Sequence, residues 1–194
     1  MKFKAGQKII DLLRGKHRRK YTGYPYFKIY FFNYIVSYIP FYCIRLWYLK
    51  KVLGYTIADS AFIHLGCFIL CQHLEIGEDT VIGPCVRMNG DIFIGKHCSV
   101  THDVFLEGVT HDKNSPEFKG VSSPIIIEDY AWIGIRSVIL PGVTIGRGAI
   151  VGANSTVTKT VSPLDIVAGS PAKTIGTRDI DACQYVHGYR PPWC

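Results

Sequence analysis

The sequence predicts an all-β solenoid built from six-residue repeats, and three observations support this fold class. Aliphatic residues or methionine recur every six positions in two uninterrupted runs, Ile76 to Leu106 and Ile127 to Val157. Small or apolar residues stand two places before many of these positions, and glycine directly follows several of them. A strand repeats every two residues and an α-helix about every 3.6, so a period of six indicates a short strand plus a corner in a coiled chain.

The twelve repeat positions are expected to point inward and form the core. They are Ile76, Ile82, Met88, Ile94, Val100 and Leu106, then Ile127, Ile133, Ile139, Ile145, Val151 and Val157. Three such units close one triangular coil, and each coil buries its apolar side only against its neighbours. Isolated Ile-Gly pairs also occur at turns of other β proteins, but so many positions in phase favour the solenoid.

Composition and charge are those of one globular domain with anionic partners. Of the 194 residues 48% are hydrophobic, and the formal net charge is +7. This charge suggests a phosphorylated cofactor or an anionic membrane face, and no aromatic-plus-basic pattern indicates nucleic acid. The seven cysteines include Cys67 and Cys71, four apart. Because no second pair has zinc-finger spacing, buried free thiols in a reducing compartment are favoured over a metal site.

An aromatic segment from Tyr24 to Leu49 precedes the repeats, and two interpretations of it stay open. Its uncharged stretch, Ile29 to Ile44, is shorter than the about 20 residues that span a bilayer, and no signal peptide is expected before it. Either two helices separated at Pro40 pack on the solenoid or on a neighbouring subunit, or the segment lies in a membrane interface with basic flanks facing anionic lipid. The short span favours packing.

The repeat breaks once, between Leu106 and Ile127. These positions are 21 residues apart, which is not a multiple of six, so residues 108–124 are expected to leave the coil as a loop. Loops on a rigid scaffold often carry functional residues. His111 lies in this loop, and an imidazole titrating near neutral pH can accept a proton from a hydroxyl group. From the loop alone, a solvated histidine without a function is equally consistent.

Several motifs around and after this break follow one another in a specific order. They are the stretches 110–112, Pro116 with Phe118, 124–134, 139–146, 151–159 and 167–173. In this order they resemble the motifs of hexapeptide-repeat O-acetyltransferases, namely enzymes that modify bacterial polysaccharides and maltose and galactoside acetyltransferases.

The resemblance covers Ile57 to Arg178 and implies a left-handed parallel β-helix. It implies three parts of the chain: a basic and aromatic helical segment in residues 1–56, the β-helix acyltransferase domain in 57–178 with its extruded loop at 108–124, and a tail in 179–194. The implied activity is transfer of the acetyl group of acetyl-coenzyme A to a sugar hydroxyl of a bacterial polysaccharide or its precursor.

The resemblance also assigns roles to individual residues. His111 takes the role of the catalytic base, and Asp112 or Glu107 could orient its imidazole ring. Residues matching cofactor contacts are Trp132, Gly134, Ala153, Thr158, Lys159, Lys173 and Arg178. The basic members of this set would meet phosphate groups, although surface lysines are usually only solvated, and Trp132 could equally be an aromatic at a coil corner. No metal is expected.

The resemblance further implies a homotrimer with the cofactor bound between neighbouring solenoids. The expected location is the cytoplasm, with peripheral contact to the inner face of the membrane through residues 24–49 as an open interpretation.

Other functions on the same fold stay open. A serine acetyltransferase, or a transferase acting on an antibiotic or an amino sugar, would share the solenoid and coenzyme A. A zinc enzyme resembling carbonic anhydrase would use His97 and His102, but Ala61 stands where its third ligand is expected. A solenoid used only for assembly is disfavoured by the His111 loop. His102, in a second Thr-His-Asp sequence, ranks below His111 as the base.

Overall fold

The chain folds as a parallel β-solenoid with a helical segment at its N-terminal end. This computed structural model describes residues 24–189. Two helices come first, α1 (Tyr24–Tyr34) and α2 (Tyr42–Trp47), with a 3-10 turn at Val36–Tyr38 between them and a π-helical turn at Tyr48–Val52 after them. A last 3-10 turn, Ile180–Ala182, follows the strands.

The strands are short, as a six-residue repeat requires. In the described residues they are β1 (Thr56–Ile57), β2 (Phe62–Ile63), β3 (Phe68–Ile76), β4 (Val81–Ile82), β5 (Arg87–Ile94), β6 (Ser99–Val100), β7 (Phe105–Glu107), β8 (Val109–His111), β9 (Gly120–Ser122), β10 (Ile125–Ile127), β11 (Trp132–Ile133), β12 (Val138–Ile139), β13 (Thr144–Ile145), β14 (Ile150–Val151), β15 (Thr156–Val157), β16 (Asp165–Gly169) and β17 (Ala172–Thr177).

These strands stack in three parallel columns, which are the faces of the solenoid. The first face holds β1, the C-terminal halves of β3 and β5, then β10 and β13. The second face holds β2, β4, β6, β11, β14 and β16. The third face holds the N-terminal halves of β3 and β5, then β7, β12 and β15. The final strand β17 pairs antiparallel with β16.

The repeat positions form the core, as predicted. All twelve are buried, none with more than 4% of its surface exposed. Leu74, Ile92, Ile125 and Ala131, each two places before a repeat position, are also buried. Each six-residue unit therefore turns two side chains inward, the one at the repeat position and the one two places before it. Together the units fill the interior of the solenoid from all three faces.

One further coil precedes the predicted run. Ile57, Ile63 and Ile69 are six apart and buried. A step of seven then leads to Ile76, because Gln72 and His73 together stand opposite the single residue Asp91 at a register shift between β3 and β5. This bulge hides the first coil from a strict six-residue count.

The N-terminal helices pack against the solenoid, as favoured from the sequence. The Asn33 amide donates to the Ile69 carbonyl oxygen (3.0 Å) and accepts from the Ile69 N–H (2.8 Å). The Tyr42 hydroxyl and the Arg45 guanidinium each donate to a solenoid carbonyl, at 2.6 Å. Phe32, Val36 and Leu49 extend the core. No helix of the described residues is long and apolar enough to cross a membrane.

The segment after β17 runs back along the corner between the first and second faces. Arg178 donates to the Tyr130 carbonyl oxygen at 2.9 Å, and the N–H groups of His187 and Gly188 donate to the Asp79 carboxylate at 2.6 and 2.9 Å. The segment thereby joins the last coils to the second one. The division of the chain at residues 56 and 178 stays a prediction.

Candidate active site

The predicted loop leaves the solenoid at the corner between the third and first faces. This loop corner is a column of five stacked turns: residues 72–73, 90–91, 108–124, 140–143 and 158–160. Parallel coils stack at about 4.8 Å, so the turn at 158–160 lies roughly 10 Å along the corner from the loop. The loop that interrupts the repeat is therefore the third of five turns stacked along this corner.

The loop is a two-stranded hairpin. Strands β8 and β9 pair antiparallel, with His111 opposite Gly120. At the base, the Ser123 N–H donates to the Gly108 carbonyl oxygen at 2.9 Å, and at the tip the Asp112 N–H donates to the Lys119 carbonyl oxygen at 2.8 Å. The hairpin leaves and re-enters the corner at adjacent points, so it is a defined projection of the corner.

His111 lies at the outer end of strand β8 and is exposed. Its ring stacks on Phe118, with the ring centroids 4.1 Å apart and the planes 12° from parallel. Phe118 stands across the hairpin with a positive φ of 49°, and the Phe118 N–H donates to the Ser115 carbonyl oxygen at 3.0 Å. The stack fixes one face of the imidazole and leaves its edge open to a reacting molecule.

The two carboxylates proposed to orient His111 are engaged elsewhere. Asp112 accepts from the Asn114 N–H at 2.9 Å, which closes the hairpin tip. Glu107 accepts from the Asn89 amide at 3.1 Å. Within residues 24–189 neither carboxylate is seen to hydrogen-bond the His111 ring, so the orienting role gains no support from this geometry, and Phe118 is the neighbour that holds the ring.

A pocket of about 290 Å³ lies between helix α1 and the hairpin. Its walls come from α1, from the first two turns of the loop corner and from both hairpin strands. The lining residues are Tyr26, Ile29, Leu70, Gln72, Asn89, Gly90, Val109, Gly120, Val121 and Ser122. Amide and hydroxyl groups thus stand beside aliphatic and aromatic surface, a mixture that suits a small polar molecule with apolar faces.

Two polar pairs fix the corner beside this pocket. The Glu107 carboxylate accepts from the Asn89 amide nitrogen, and this hydrogen bond fixes the orientation of the Asn89 amide in the pocket wall. At the bulge, His73 Nδ1 lies 3.0 Å from Asp91 Oδ1. Sequence reasoning singled out neither pair, nor Tyr26 and Gln72, because their neighbourhood depends on which turns stack at one corner.

Two of the predicted cofactor contacts lie on the same loop corner as His111. Thr158 and Lys159 occupy its last turn and are exposed. This turn lies roughly two coils from the loop. The loop corner therefore carries a candidate base, His111, and a candidate phosphate contact, Lys159, at separate points along one edge of the solenoid.

Three other predicted contacts lie elsewhere on the solenoid. Trp132 is exposed at the start of β11 on the second face, and Ala153 is exposed at the corner between the second and third faces. Lys173 is exposed on β17, which extends the second face. A single chain therefore does not gather these residues with His111.

Gly134 and Arg178 have structural explanations. A Cβ on Gly134 would lie 2.6 Å from the Val151 carbonyl oxygen of the next coil, so glycine is needed there for the coils to stack. The Arg178 guanidinium donates to the carbonyl oxygens of Tyr130 and Gly148, at 2.9 and 3.2 Å. These hydrogen bonds hold the C-terminal segment against the solenoid, and the role of Arg178 as a cofactor contact stays a prediction.

The histidines of the zinc alternative point to different surroundings. His97 Nδ1 lies 3.0 Å from Asp79 Oδ2, and its ring stacks on Tyr130 with centroids 4.8 Å apart. His102 is exposed at the next corner, away from the His111 loop. In the part of the chain that the structure describes, no three His, Cys, Asp or Glu side chains are grouped as a metal site.

Comparisons with known proteins match this three-faced solenoid of hexapeptide coils to a family of transferases. The family model described as bacterial transferase hexapeptide (six repeats) matches residues 124–159.

Curated relatives carry acetyltransferase names. The chain is 34% identical over 134 residues to a protein of Escherichia coli strain K12 named for colanic acid biosynthesis acetyltransferase WcaF, covering 68% of this chain and 74% of the relative. It is 32% identical over 132 residues to the galactoside O-acetyltransferase of Lactococcus lactis, covering 65% of this chain and 58% of the relative.

A solved structure shares the fold. The hexapeptide-repeat-containing acetyltransferase of Vibrio cholerae, complexed with acetyl coenzyme A, aligns with a TM-score of 0.56 at 21% identity, covering 89% of this chain and 98% of that one. The chain belongs to the hexapeptide-repeat acetyltransferase family and is an acyltransferase.

Proposed function

We propose that the protein transfers the acetyl group of acetyl-coenzyme A to a sugar hydroxyl of a bacterial polysaccharide or its precursor, with His111 as the base. The observation that carries the proposal is the exposed, stacked imidazole on the hairpin of the loop corner, next to a pocket with polar and apolar walls.

His111 would remove the proton of the acceptor hydroxyl while the oxygen attacks the thioester carbonyl carbon. A carbon–oxygen bond forms, the carbon–sulfur bond breaks, and the departing thiolate takes the proton back from the imidazolium. A positioned base contributes about 100- to 10,000-fold in rate. Because the His111 ring is exposed at the hairpin end, both reactants can approach its edge.

The pocket between α1 and the hairpin supports a sugar acceptor. Tyr26 offers an aromatic face to a pyranose ring, while Gln72, Asn89 and Ser122 offer hydrogen-bonding groups to its hydroxyls. The names of the two curated relatives, for colanic acid biosynthesis and for a galactoside, agree with this class of acceptor.

The loop corner supports acetyl-coenzyme A as the donor. Its thioester would lie at His111 and its phosphates near Lys159, two turns along the same edge, where an ammonium group is accessible. The neighbour from Vibrio cholerae was solved with acetyl coenzyme A.

A homotrimer would complete the site. Trp132, Ala153 and Lys173 lie away from the loop corner of their own chain, so they can line the same cleft as His111 only if a second chain presents them. We place this trimer in the cytoplasm, where acetyl-coenzyme A is available, and treat its contact with a membrane in the next subsection.

The test is acetyl transfer by the purified full chain. The protein is incubated with acetyl-coenzyme A and one acceptor at a time, and the released thiol is followed. The acceptors are a panel of hexosides, serine and an amino sugar. Thiol release that depends on a hexoside and yields its acetyl ester supports the proposal. Release only with serine or an amine, or no release with any hexoside, would overturn the choice of acceptor.

A further inference from the structure

Many large hydrophobic side chains of the N-terminal helical segment are exposed, although the other sides of its helices pack against the solenoid, and together they form the outer surface of this segment. We call this surface the aromatic face. Its members are Phe27, Tyr30, Phe31, Tyr34, Ile35, Tyr38, Phe41, Ile44 and Trp47. Exposed hydrophobic patches of this extent mark binding surfaces.

The aromatic face is ordered. Phe27 stacks on Phe31 and Tyr30 on Tyr34, with centroids 6.1 and 6.0 Å apart. The opposite side of α1 is fixed because Phe32 is buried in the core and Asn33 is hydrogen-bonded to β3. Helix α1 has 11 residues, so it is too short to cross a bilayer but can lie along its surface.

The charge of the chain is concentrated on this same segment. Residues 1–56 contain twelve lysines and arginines and one acidic residue, Asp11, whereas the rest of the chain contains ten basic and fourteen acidic residues. Four of the basic residues fall within 16–20, shortly before α1 begins, and Lys51 is exposed after α2. Aromatic side chains flanked by basic ones are the combination that binds the interface of an anionic bilayer.

We propose that the aromatic face docks on an anionic lipid surface. The tyrosine and tryptophan rings would enter the headgroup region while the neighbouring basic residues meet lipid phosphates. A second copy placed face to face would bring two strongly basic segments together, which like-charge repulsion disfavours. Charge complementarity therefore favours lipid over a symmetric pairing of two such segments, and packing of the face on the solenoid of a neighbouring chain is the outcome that the oligomeric state of the test variant reveals.

Docking of the aromatic face would also bring the candidate active site close to the bilayer. Tyr26 and Ile29 belong to α1 and form one wall of the pocket beside the hairpin. A docked chain thus holds this pocket beside the bilayer, within reach of a saccharide anchored there. This consequence rests on the function proposed above, whereas the docking itself does not.

The experiment is co-sedimentation of the full chain with vesicles, without acetyl-coenzyme A. One set of vesicles is phosphatidylcholine alone and the other contains phosphatidylglycerol. The test variant is Phe27→Ser, Tyr34→Ser and Trp47→Ser, whose side chains are 67%, 66% and 57% exposed. The matched control is Ile175→Ser, Ile180→Ser and Val186→Ser, which are 68%, 55% and 69% exposed in the C-terminal part of the chain and do not belong to the aromatic face.

The wild type and the control variant are expected to bind the anionic vesicles, and binding should weaken as salt is added. The test variant should bind at least about tenfold more weakly. Absence of binding to anionic vesicles, or equal binding by test and control variants, overturns the proposal. A test variant that loses the wild-type oligomeric state by light scattering also overturns it, because the face would then be a subunit interface. Acetyl transfer to a soluble hexoside, measured separately, reports on the chemistry alone.

Discussion

At the residue scale, the structure changes which neighbour is expected to position His111. Asp112 and Glu107 are adjacent in sequence but are bound to Asn114 and Asn89, whereas Phe118 stacks directly on the imidazole. The sequence places a histidine and a phenylalanine in one loop. Only the hairpin pairing brings the two rings together, so this contact could not be found from spacing.

Replacement of Phe118 tests this positioning role. Phe118→Ala should lower kcat by about tenfold to a hundredfold, since small misplacements of a catalytic group cost that much, while the KM for acetyl-coenzyme A stays near the wild-type value. Phe118→Tyr keeps the stack and should restore most of the activity. Equal activity of the alanine and tyrosine variants in steady-state kinetics would show that the ring does not hold His111.

Buried thiols give a prediction about pH. Burial raises the pKa of the Cys67 and Cys98 thiols from about 9 to about 12. Between these values the unfolded chain has lost thiol protons that the folded chain keeps, so the free energy of unfolding must fall as the pH rises. Urea unfolding at pH 8 and pH 10 measures this fall, and a Cys67→Ala and Cys98→Ala variant should show a smaller one. An equal fall in both proteins would remove the thiols as its source.

The same burial predicts selective modification. Cys43 and Cys85 are exposed. Because a reagent can reach their sulfur atoms, both should react with a maleimide at pH 8. Cys67, Cys71 and Cys98 are buried and should stay unmodified until urea is added. Peptide mass spectrometry distinguishes the sites. Fast labelling of Cys67 in the native protein would contradict the coil packing around it.

At the element scale, the hairpin is expected to be separable from the solenoid. Its two ends meet at Gly108 and Ser123, so residues 109–122 can be replaced by two glycines without stretching the corner. The free energy of unfolding should change by less than about 2 kcal/mol, while acetyl transfer falls to background. Circular dichroism with urea unfolding checks the first outcome, and failure of the shortened chain to fold would show that the loop is part of the scaffold.

The solenoid itself could be predicted almost completely from the sequence, because a core position every six residues is a local signal. The six-residue count missed the first coil, Ile57 to Ile69, because the bulge at Gln72 and His73 adds one residue to the step, and only the family resemblance began the β-helix at Ile57. The pocket beside the hairpin could not be predicted for another reason. Tyr26, Asn89 and Val121 are far apart along the chain, and only the stacking of turns at the loop corner makes them neighbours.

At the scale of the whole molecule, the positions of the predicted cofactor contacts favour a site shared between chains. His111 belongs to the loop corner, and Ala153 belongs to the corner between the second and third faces. If neighbouring chains of a trimer bring these corners together, two inactive variants can complement each other.

Mixed trimers test this arrangement. His111→Ala and Ala153→Trp, which fills the cleft, should each be inactive alone. After co-expression, about a quarter of the interfaces would combine an intact His111 with an intact Ala153 from a different chain, and acetyl transfer should return to about that fraction. Mixed trimers that stay as inactive as the separate variants would contradict a site that His111 of one chain shares with Ala153 of another.

The most direct measurement is the rate of acetyl transfer by His111→Ala, with His102→Ala as its matched control. Both side chains are exposed on corners of the same solenoid, so neither change should alter folding. The His111 variant should bind acetyl-coenzyme A with wild-type affinity and lose about 100- to 10,000-fold in kcat, while the His102 variant keeps its activity. Undiminished acetyl transfer by a folded His111→Ala protein would contradict the assignment of the base and of the loop corner as the active site.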